Sequence, residues 1–203
     1  MTINVEALSL GPMDNCTYLV TQGKKALLID PAWEMDTLAQ TLTKEGLELI
    51  GVLFTHGHFD HVKFAEKLLE KYHLKGYLEE QDFSLADLPL ADLHTYKGDQ
   101  TFEIGPFKVH ILSTPGHTAG SVCIQIGSFL FTGDTLFPGA CGRVDLPTSD
   151  PRAMLESLKR IAALPEDTII YAGHSYGGRC RSTVGEEKLT NPFMRNALRG
   201  EEH

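Results

Sequence analysis

Thr55-His56-Gly57-His58-Phe59-Asp60-His61 is the stretch on which the reading of this chain turns. It puts three imidazoles and a carboxylate between positions 56 and 61. Imidazole nitrogen and carboxylate oxygen are good ligands for zinc, iron or manganese. Residues 50–55 just before it form a short apolar run that reads as a strand. His56 and His58, two apart at a strand end, can point to one side. Asp60 and His61 stand where the next helix begins and can turn toward a second point. One metal does not easily use all four, so the cluster points to two.

Three more candidate ligands share that context. His117 follows a strand ending at Ser113, through Thr114-Pro115-Gly116. Asp134 follows a strand at 129–132, through Gly133. His174 follows a strand at 168–172, through Gly173. Sheet-based sites gather their ligands on loops at one rim of the sheet. A single His-x-His is a weak signal; four strand ends that each offer a ligand after a small-residue turn are a strong one. His73, His94, His110 and His203 lack that context and read as solvated or core-edge histidines.

The rest of the chain alternates strands and helices, without repeats or a Ser/Gly linker. Strands are expected at 3–8, 17–21 and 26–29, then at 76–78, 101–104, 107–113, 121–126 and 129–132. Gly127-Ser128 reads as a two-residue hairpin turn. Met35, Leu38, Ala39 and Leu42 recur at helical spacing, with Gly46 as the stop. Val62, Ala65, Leu68, Leu69 and Tyr72 give a second amphipathic helix. Asp150-Pro151 is an N-cap followed by proline at the first helical position, opening a helix that carries Met154, Leu155, Leu158, Ile161 and Ala162. Residues 81–94 read as a short helix and a loop, and the tail from Gly185 as a short helix and an ordered end. Antiparallel-compatible strands with helices inserted in each half suggest two sheets with helices outside.

Composition narrows the function classes. At 203 residues, 42% of them hydrophobic, the chain suits a single domain, 1–203, with a substantial core. A net charge of −9 argues against nucleic acid and anionic membrane as partners. No run of about 18 apolar residues suggests a membrane span. The N-terminus shows no basic and apolar leader, so a cytoplasmic location is expected, with Cys16, Cys123, Cys141 and Cys180 as reduced thiols. Oligomeric state is not legible here.

T-H-G-H-F-D-H, then P-G-H-T, T-G-D and A-G-H, in that order, resemble the metallo-β-lactamase superfamily. The opening L-G-P-M-D-N-C-T-Y-L-V, then L-I-D-P-A, and the ending S-T-V-G-E-E-K-L-T-N-P-F-M resemble its short bacterial glyoxalase II-like (hydroxyacylglutathione hydrolase-like) members. The resemblance implies an α/β (α+β) fold, an αββα sandwich with metals at one edge of the sheets. It implies that His56, His58 and His117 hold one divalent ion, that Asp60, His61 and His174 hold another, and that Asp134 bridges them. Zinc is the first expectation, with iron or manganese as alternatives. The implied reaction is hydrolysis of a small-molecule thioester such as S-lactoylglutathione by a metal-bridging hydroxide, with Asp60 and Asp134 as its catalytic carboxylates. A thiol with a pKa near 8.5 leaves without a dedicated general acid.

Two side chains are candidates for substrate binding. Arg143 matches a basic position near the glyoxalase II site; it pairs either with a substrate carboxylate or with Asp145 or Asp150. Tyr176, two residues past His174, either hydrogen-bonds substrate or walls the pocket. Arg179 and Arg181 read as solvated, and Cys141 as packing. Larger glyoxalase II enzymes carry a separate C-terminal helical substrate domain, which is not expected here. Two rival readings stand beside the hydrolase. Persulfide dioxygenases share the fold but use one iron, and resemble this chain at Cys141-Gly142-Arg143-Val144-Asp145, His174-Ser175-Tyr176-Gly177 and Ser182-Thr183-Val184. The other rival is a module that binds metal without turnover.

Overall fold

The computed structural model describes residues 2–176 and 178–200; His203 and Gly177 lie outside them. Alternation of side chains along the strands generates the layers. Strands β1 (Ile3–Ser9), β2 (Cys16–Gln22), β3 (Lys25–Ile29), β4 (Glu48–Leu53), β5 (Gly76–Glu79) and β6 (Leu93–Tyr96) form one sheet in sequence order. Strands β7 (Gln100–Ile104), β8 (Phe107–Ser113), β9 (Val122–Ile126), β10 (Phe129–Gly133), β13 (Ile169–Ala172) and β14 (Arg181–Thr183) form the other, in the order β14-β13-β10-β9-β8-β7. A hairpin of β11 (Leu136–Phe137) and β12 (Ala140–Cys141) stands apart from both.

Neighbouring residues on a strand belong to different cores. Val20, Leu27, Leu53, Ile124, Phe131 and Tyr171 meet between the sheets. Leu19, Leu28 and Val52 turn outward to Leu38 and Leu42 of α1 (Met35–Glu45) and to Leu68 and Leu69 of α3 (Ala65–Tyr72). Cys123, Leu130 and Ile170 turn outward on the second sheet to Leu158 and Ile161 of α5 (Pro151–Ala162), to Val184 of α6 (Val184–Thr190) and to Met194 of α7 (Pro192–Arg199). The result is the αββα sandwich. No helix among the described residues is long and apolar enough to cross a membrane.

The local signals act as their chemistry requires. Gly46 adopts φ 61° and donates to Leu42 and Thr43 carbonyls, ending α1. The Asp150 side chain accepts from the backbone of Arg152 and Ala153 at the start of α5. Four features differ from the sequence reading. The sheets are mixed, because α1, α3 and α5 act as crossovers and make β3–β4, β4–β5 and β10–β13 parallel. The helix expected through Val62 and Tyr72 is two, α2 (Phe59–Val62) and α3, since Phe64 leaves helical geometry at φ −114°, ψ 11°. The short helix expected within 81–94 is α4 (Phe83–Ala86), but a 3₁₀ turn at Glu80–Asp82 precedes it and the expected loop runs into the start of β6, whose Leu-His-Thr-Tyr sequence shows no apolar run. The tail is two helices, because Asn191 caps α7 with Pro192 behind it.

Candidate metal centre

Strand direction decides where the ligand loops end up. β8 and β10 both run antiparallel to β9, and β13 runs parallel to β10. The loops carrying His117, Asp134 and His174 therefore leave one rim of the second sheet. Two backbone hydrogen bonds tie the first sheet to that rim: Val122 N–H to the Thr55 carbonyl at 2.9 Å, and Cys16 N–H to the Gly173 carbonyl at 2.8 Å. They bring in the stretch 55–61. Gly133, at φ 49°, lets the rim approach Thr55 closely; a Cβ there would stand 2.3 Å from Thr55 Oγ1.

The seven predicted ligands come together. His56, His58 and His117 form one group whose ligand atoms all lie within 4.8 Å of one another, and Asp60, His61 and His174 form a second. His56, His61 and Asp134 form a third group that overlaps both. Asp134 Oδ1 lies 3.4 Å from His61 Nε2, while its Oδ2 lies 3.5 Å from His117 Nε2 and 3.4 Å from His174 Nε2. Six of these side chains are buried, and His58 is partly so.

Hydrogen bonding fixes which nitrogen of each ring faces inward. His117 Nδ1 donates to the Arg143 carbonyl at 2.9 Å and His174 Nδ1 to the Met13 carbonyl at 2.8 Å. His61 Nδ1 donates to Asp30 Oδ2 at 2.9 Å. The Thr55 hydroxyl gives its proton to Asp30 at 2.6 Å, so at 3.1 Å it accepts from His56 Nδ1. Each ring is thus anchored through Nδ1 and aims Nε2 at the cluster, the arrangement that holds imidazole ligands to metals. His58 differs and turns Nδ1 inward, 3.0 Å from His117 Nε2.

The cluster fits metal ions. His56 Nε2 and Asp134 Oδ1 are buried with no hydrogen-bond partner. A buried polar atom left so is costly unless something else satisfies it. His61 Nε2 and His174 Nε2 face each other at 3.2 Å, and two lone pairs at that separation need a cation between them. Without metal, a proton does that work. Burial alone would lower the His174 imidazole, but hydrogen bonds to Asp134 and Asp60 push it up to about 10. Burial would likewise raise the Asp60 carboxyl; His174, His61 and Asn15 instead hold it well below the usual carboxylate range. Asp134 is held down against burial by His61 and His174. Burial, then the neighbouring His61 and His117, drives His56 well below its ordinary range. The donors are borderline nitrogen and hard oxygen, which suit zinc, iron or manganese.

Several residues with structural work at the centre were not singled out from sequence. Asn15 Nδ2 donates to Asp60 Oδ2 at 3.1 Å and to the Asp60 carbonyl at 3.0 Å, and Trp33 Nε1 donates to Asn15 Oδ1 at 3.0 Å. Asp30 accepts from both His61 Nδ1 and the Thr55 hydroxyl. It follows an apolar strand directly, as Asp134 nearly does, and that parallel was its one signal. Asn15 had no signal of its own.

The cluster opens into a cleft of about 520 Å³. Met13, Phe59 and Tyr176 line it and are also exposed, giving it an apolar lip. Tyr176 sits at φ 43° with its ring stacked on His174 at 4.9 Å and edge-on to Phe137 at 5.3 Å. Burial, then Asp134 and Asp60, push its phenol up to about 12, so it remains a hydrogen-bond donor at neutral pH. Arg143 also lines the cleft, but its guanidinium forms a two-pronged pair with Asp145 at 2.7 and 2.8 Å. Of the partners open to it, Asp145 holds it, while Asp150 serves as the helix cap. Cys141 lines the cleft with half-buried packing. The remaining described histidines lie elsewhere: His73 ends α3 at φ 53°, His94 packs on Tyr77 and Phe102, and His110 meets Thr101 at 3.0 Å.

Two facing sheets with imidazoles and carboxylates converging at one rim define a class that works through bound metal, the metal-dependent hydrolases of the sandwich type. The family model described as the metallo-beta-lactamase superfamily matches residues 11–174, and the chain belongs to that superfamily. The hydroxyacylglutathione hydrolase GloC of Haemophilus influenzae is 32% identical over 213 residues, covering 95% of this chain and 98% of that protein. Among solved structures, TTHA1623 in a di-iron-bound form is 37% identical with a TM-score of 0.81, over 93% of this chain and 100% of that one. ETHE1 from Myxococcus xanthus is 28% identical with a TM-score of 0.85, over 96% and 90%.

Proposed function

We propose that this chain hydrolyses small-molecule thioesters of the S-lactoylglutathione type at a pair of divalent ions, zinc first among them. His56, His58 and His117 would hold one ion, Asp60, His61 and His174 the other, and Asp134 both. The observation that carries this reading is Asp134, whose two oxygens face histidines of both groups at 3.4 and 3.5 Å. Support also comes from GloC, named for hydroxyacylglutathione hydrolysis, and from TTHA1623, solved with two irons.

Divalent metals bound there would acidify water from a pKa of about 16 to about 7 and polarise a carbonyl. The protein's own groups do the rest. Asp60, ionised and fixed by the Asn15 amide, orients the attacking water. The buried Asp30 keeps His61 in one tautomer. Tyr176 offers its phenolic proton to the substrate at the mouth of the cleft. Arg143 binds a substrate carboxylate by exchanging it for Asp145. The leaving thiolate is stable enough, with a pKa near 8.5, to depart without a general acid.

A persulfide dioxygenase is the second reading, and the likeness to ETHE1 in fold and length favours it. A single iron would leave part of the cluster without a role, which is why the hydrolase is preferred. Elemental analysis of the native protein, together with an S-lactoylglutathione assay, tests the choice. Two metals per chain and thioester cleavage are expected. One iron per chain, no cleavage, and oxygen uptake with glutathione persulfide would establish the dioxygenase. A metal-loaded protein inert toward thioesters, lactones, phosphodiesters and persulfides would establish a binding module.

A further inference from the structure

Asp82 ends the 3₁₀ turn Glu80–Asp82, in the segment whose sequence pattern is least regular. Its side chain is fully buried. It accepts three hydrogen bonds, all from uncharged donors. Oδ2 accepts from Gly57 N–H at 2.8 Å and from the Thr118 hydroxyl at 2.6 Å, and Oδ1 accepts from Gly120 N–H at 2.8 Å. Gly57 lies between His56 and His58, and Thr118 follows His117 directly. One carboxylate therefore clamps both turns that carry the group His56, His58 and His117.

The packing is shaped around that clamp. A Cβ on Gly57 would stand 2.5 Å from the Asp82 carbonyl oxygen, and one on Gly120 would stand 2.7 Å from Asp82 Cγ. Both turns are thus bare where they meet Asp82. Ser121 Oγ contacts the Thr118 hydroxyl at 2.7 Å and accepts from Thr118 N–H at 3.1 Å, which orients that hydroxyl. Nothing comparable links Asp82 to Asp60, His61 or His174, whose supports are Asn15, Asp30 and the Met13 carbonyl.

We infer that Asp82 is a positioning residue for the first metal group, setting the separation of His58 and His117 and hence the affinity of that group alone. The inference rests on the two-metal reading above. A carboxylate suits the role because both of its oxygens accept here. An asparagine in its place has one accepting oxygen, and its amide N–H₂ would oppose Gly57 N–H or Gly120 N–H whichever way it turned.

Cobalt(II) titration of the metal-free full chain, followed by visible absorption, tests this. The wild type is expected to bind in two steps, and the step removed by His58→Ala identifies the first group. Asp82→Asn should weaken that step about 10–100-fold, the usual consequence of losing support behind a ligand, and leave the other within about twofold. Thr118→Val, which keeps the volume and loses one donor, should weaken the same step by less and serves if Asp82→Asn does not fold. Equal weakening of both steps, or none in either, would make Asp82 ordinary scaffold and overturn the inference. A wild type that takes up no cobalt would overturn the metal reading itself.

Discussion

Asp30 Oδ2 accepts a 2.9 Å hydrogen bond from His61 Nδ1, inside a core where both side chains are almost fully buried. The other Asp30 oxygen accepts from Thr55 N–H at 2.8 Å. One carboxylate thus fixes an imidazole's tautomer and ties the end of β4 to the end of β3. Asp30→Asn would set an amide N–H₂ against one of these donors. Metal affinity at Asp60, His61 and His174 should fall about 10–100-fold. Isothermal titration with zinc against wild type measures it, and an unchanged isotherm would remove Asp30 from the centre.

His58 and Asp134 should differ in what they take away. His58 belongs to one ligand group, whereas Asp134 contacts histidines of both. Both alanine variants should abolish thioester turnover. His58→Ala should retain about one metal equivalent and Asp134→Ala less, because losing a shared ligand weakens two ions at once. Mass spectrometric metal counts on freshly purified protein decide this, and wild-type activity in either variant would refute the assignment.

Asn191 should matter to stability and to the cleft together. It is fully buried; its oxygen caps α7 by accepting from Phe193 and Met194, and its amide donates to the carbonyls of Phe137 and Ala140. Those two carbonyls belong to the hairpin that lines the cleft. Asn191→Ala loses a cap and strands buried acceptors, together about 2–4 kcal/mol by urea denaturation. Asn191→Asp keeps the cap acceptor but not the donors and should not restore stability. A loss below about 0.5 kcal/mol in the alanine variant would contradict this account.

Asp99 gives a pH-dependent test away from the metal centre. The hydrogen bond from Arg160, with help from Ser113 N–H, holds its carboxyl below the usual range. A depressed acid stabilises the fold above its unfolded pKa, about 3.9, and that stability is lost as pH falls through the lower folded value. Asp99→Asn should therefore lower the melting temperature of metal-free protein at neutral pH. The pair is largely exposed, so its worth is below about 1 kcal/mol. The gap from wild type should close by about pH 2; a gap that persists there would show that the pairing is not its source.

The helices α1 and α5 could be read from the chain because their apolar spacing is long enough to be periodic and their ends carry Gly46 and Asp150-Pro151. β6, β14 and the β11–β12 hairpin could not, because their two to four residues form no apolar run like that of the equally short β13. Of the centre, the candidate ligands were legible through their shared place after strand ends. Asp82 and Asn15 were not, since an isolated acid or amide in a loop looks the same whether it is solvated or clamped.

By itself, the order of residues determined which groups could bind metal, because donor chemistry is a property of the side chain and each donor sits at a strand end. Only the tertiary structure brought them together as two groups joined by a third that contains Asp134, the partition that the family resemblance implied. That depends on β8, β10 and β13 sharing a direction and on the bonds from Val122 to Thr55 and from Cys16 to Gly173. It also decided which ring nitrogen each histidine presents, since the carbonyls of Met13 and Arg143 and the carboxylate of Asp30 that select it come from distant parts of the chain.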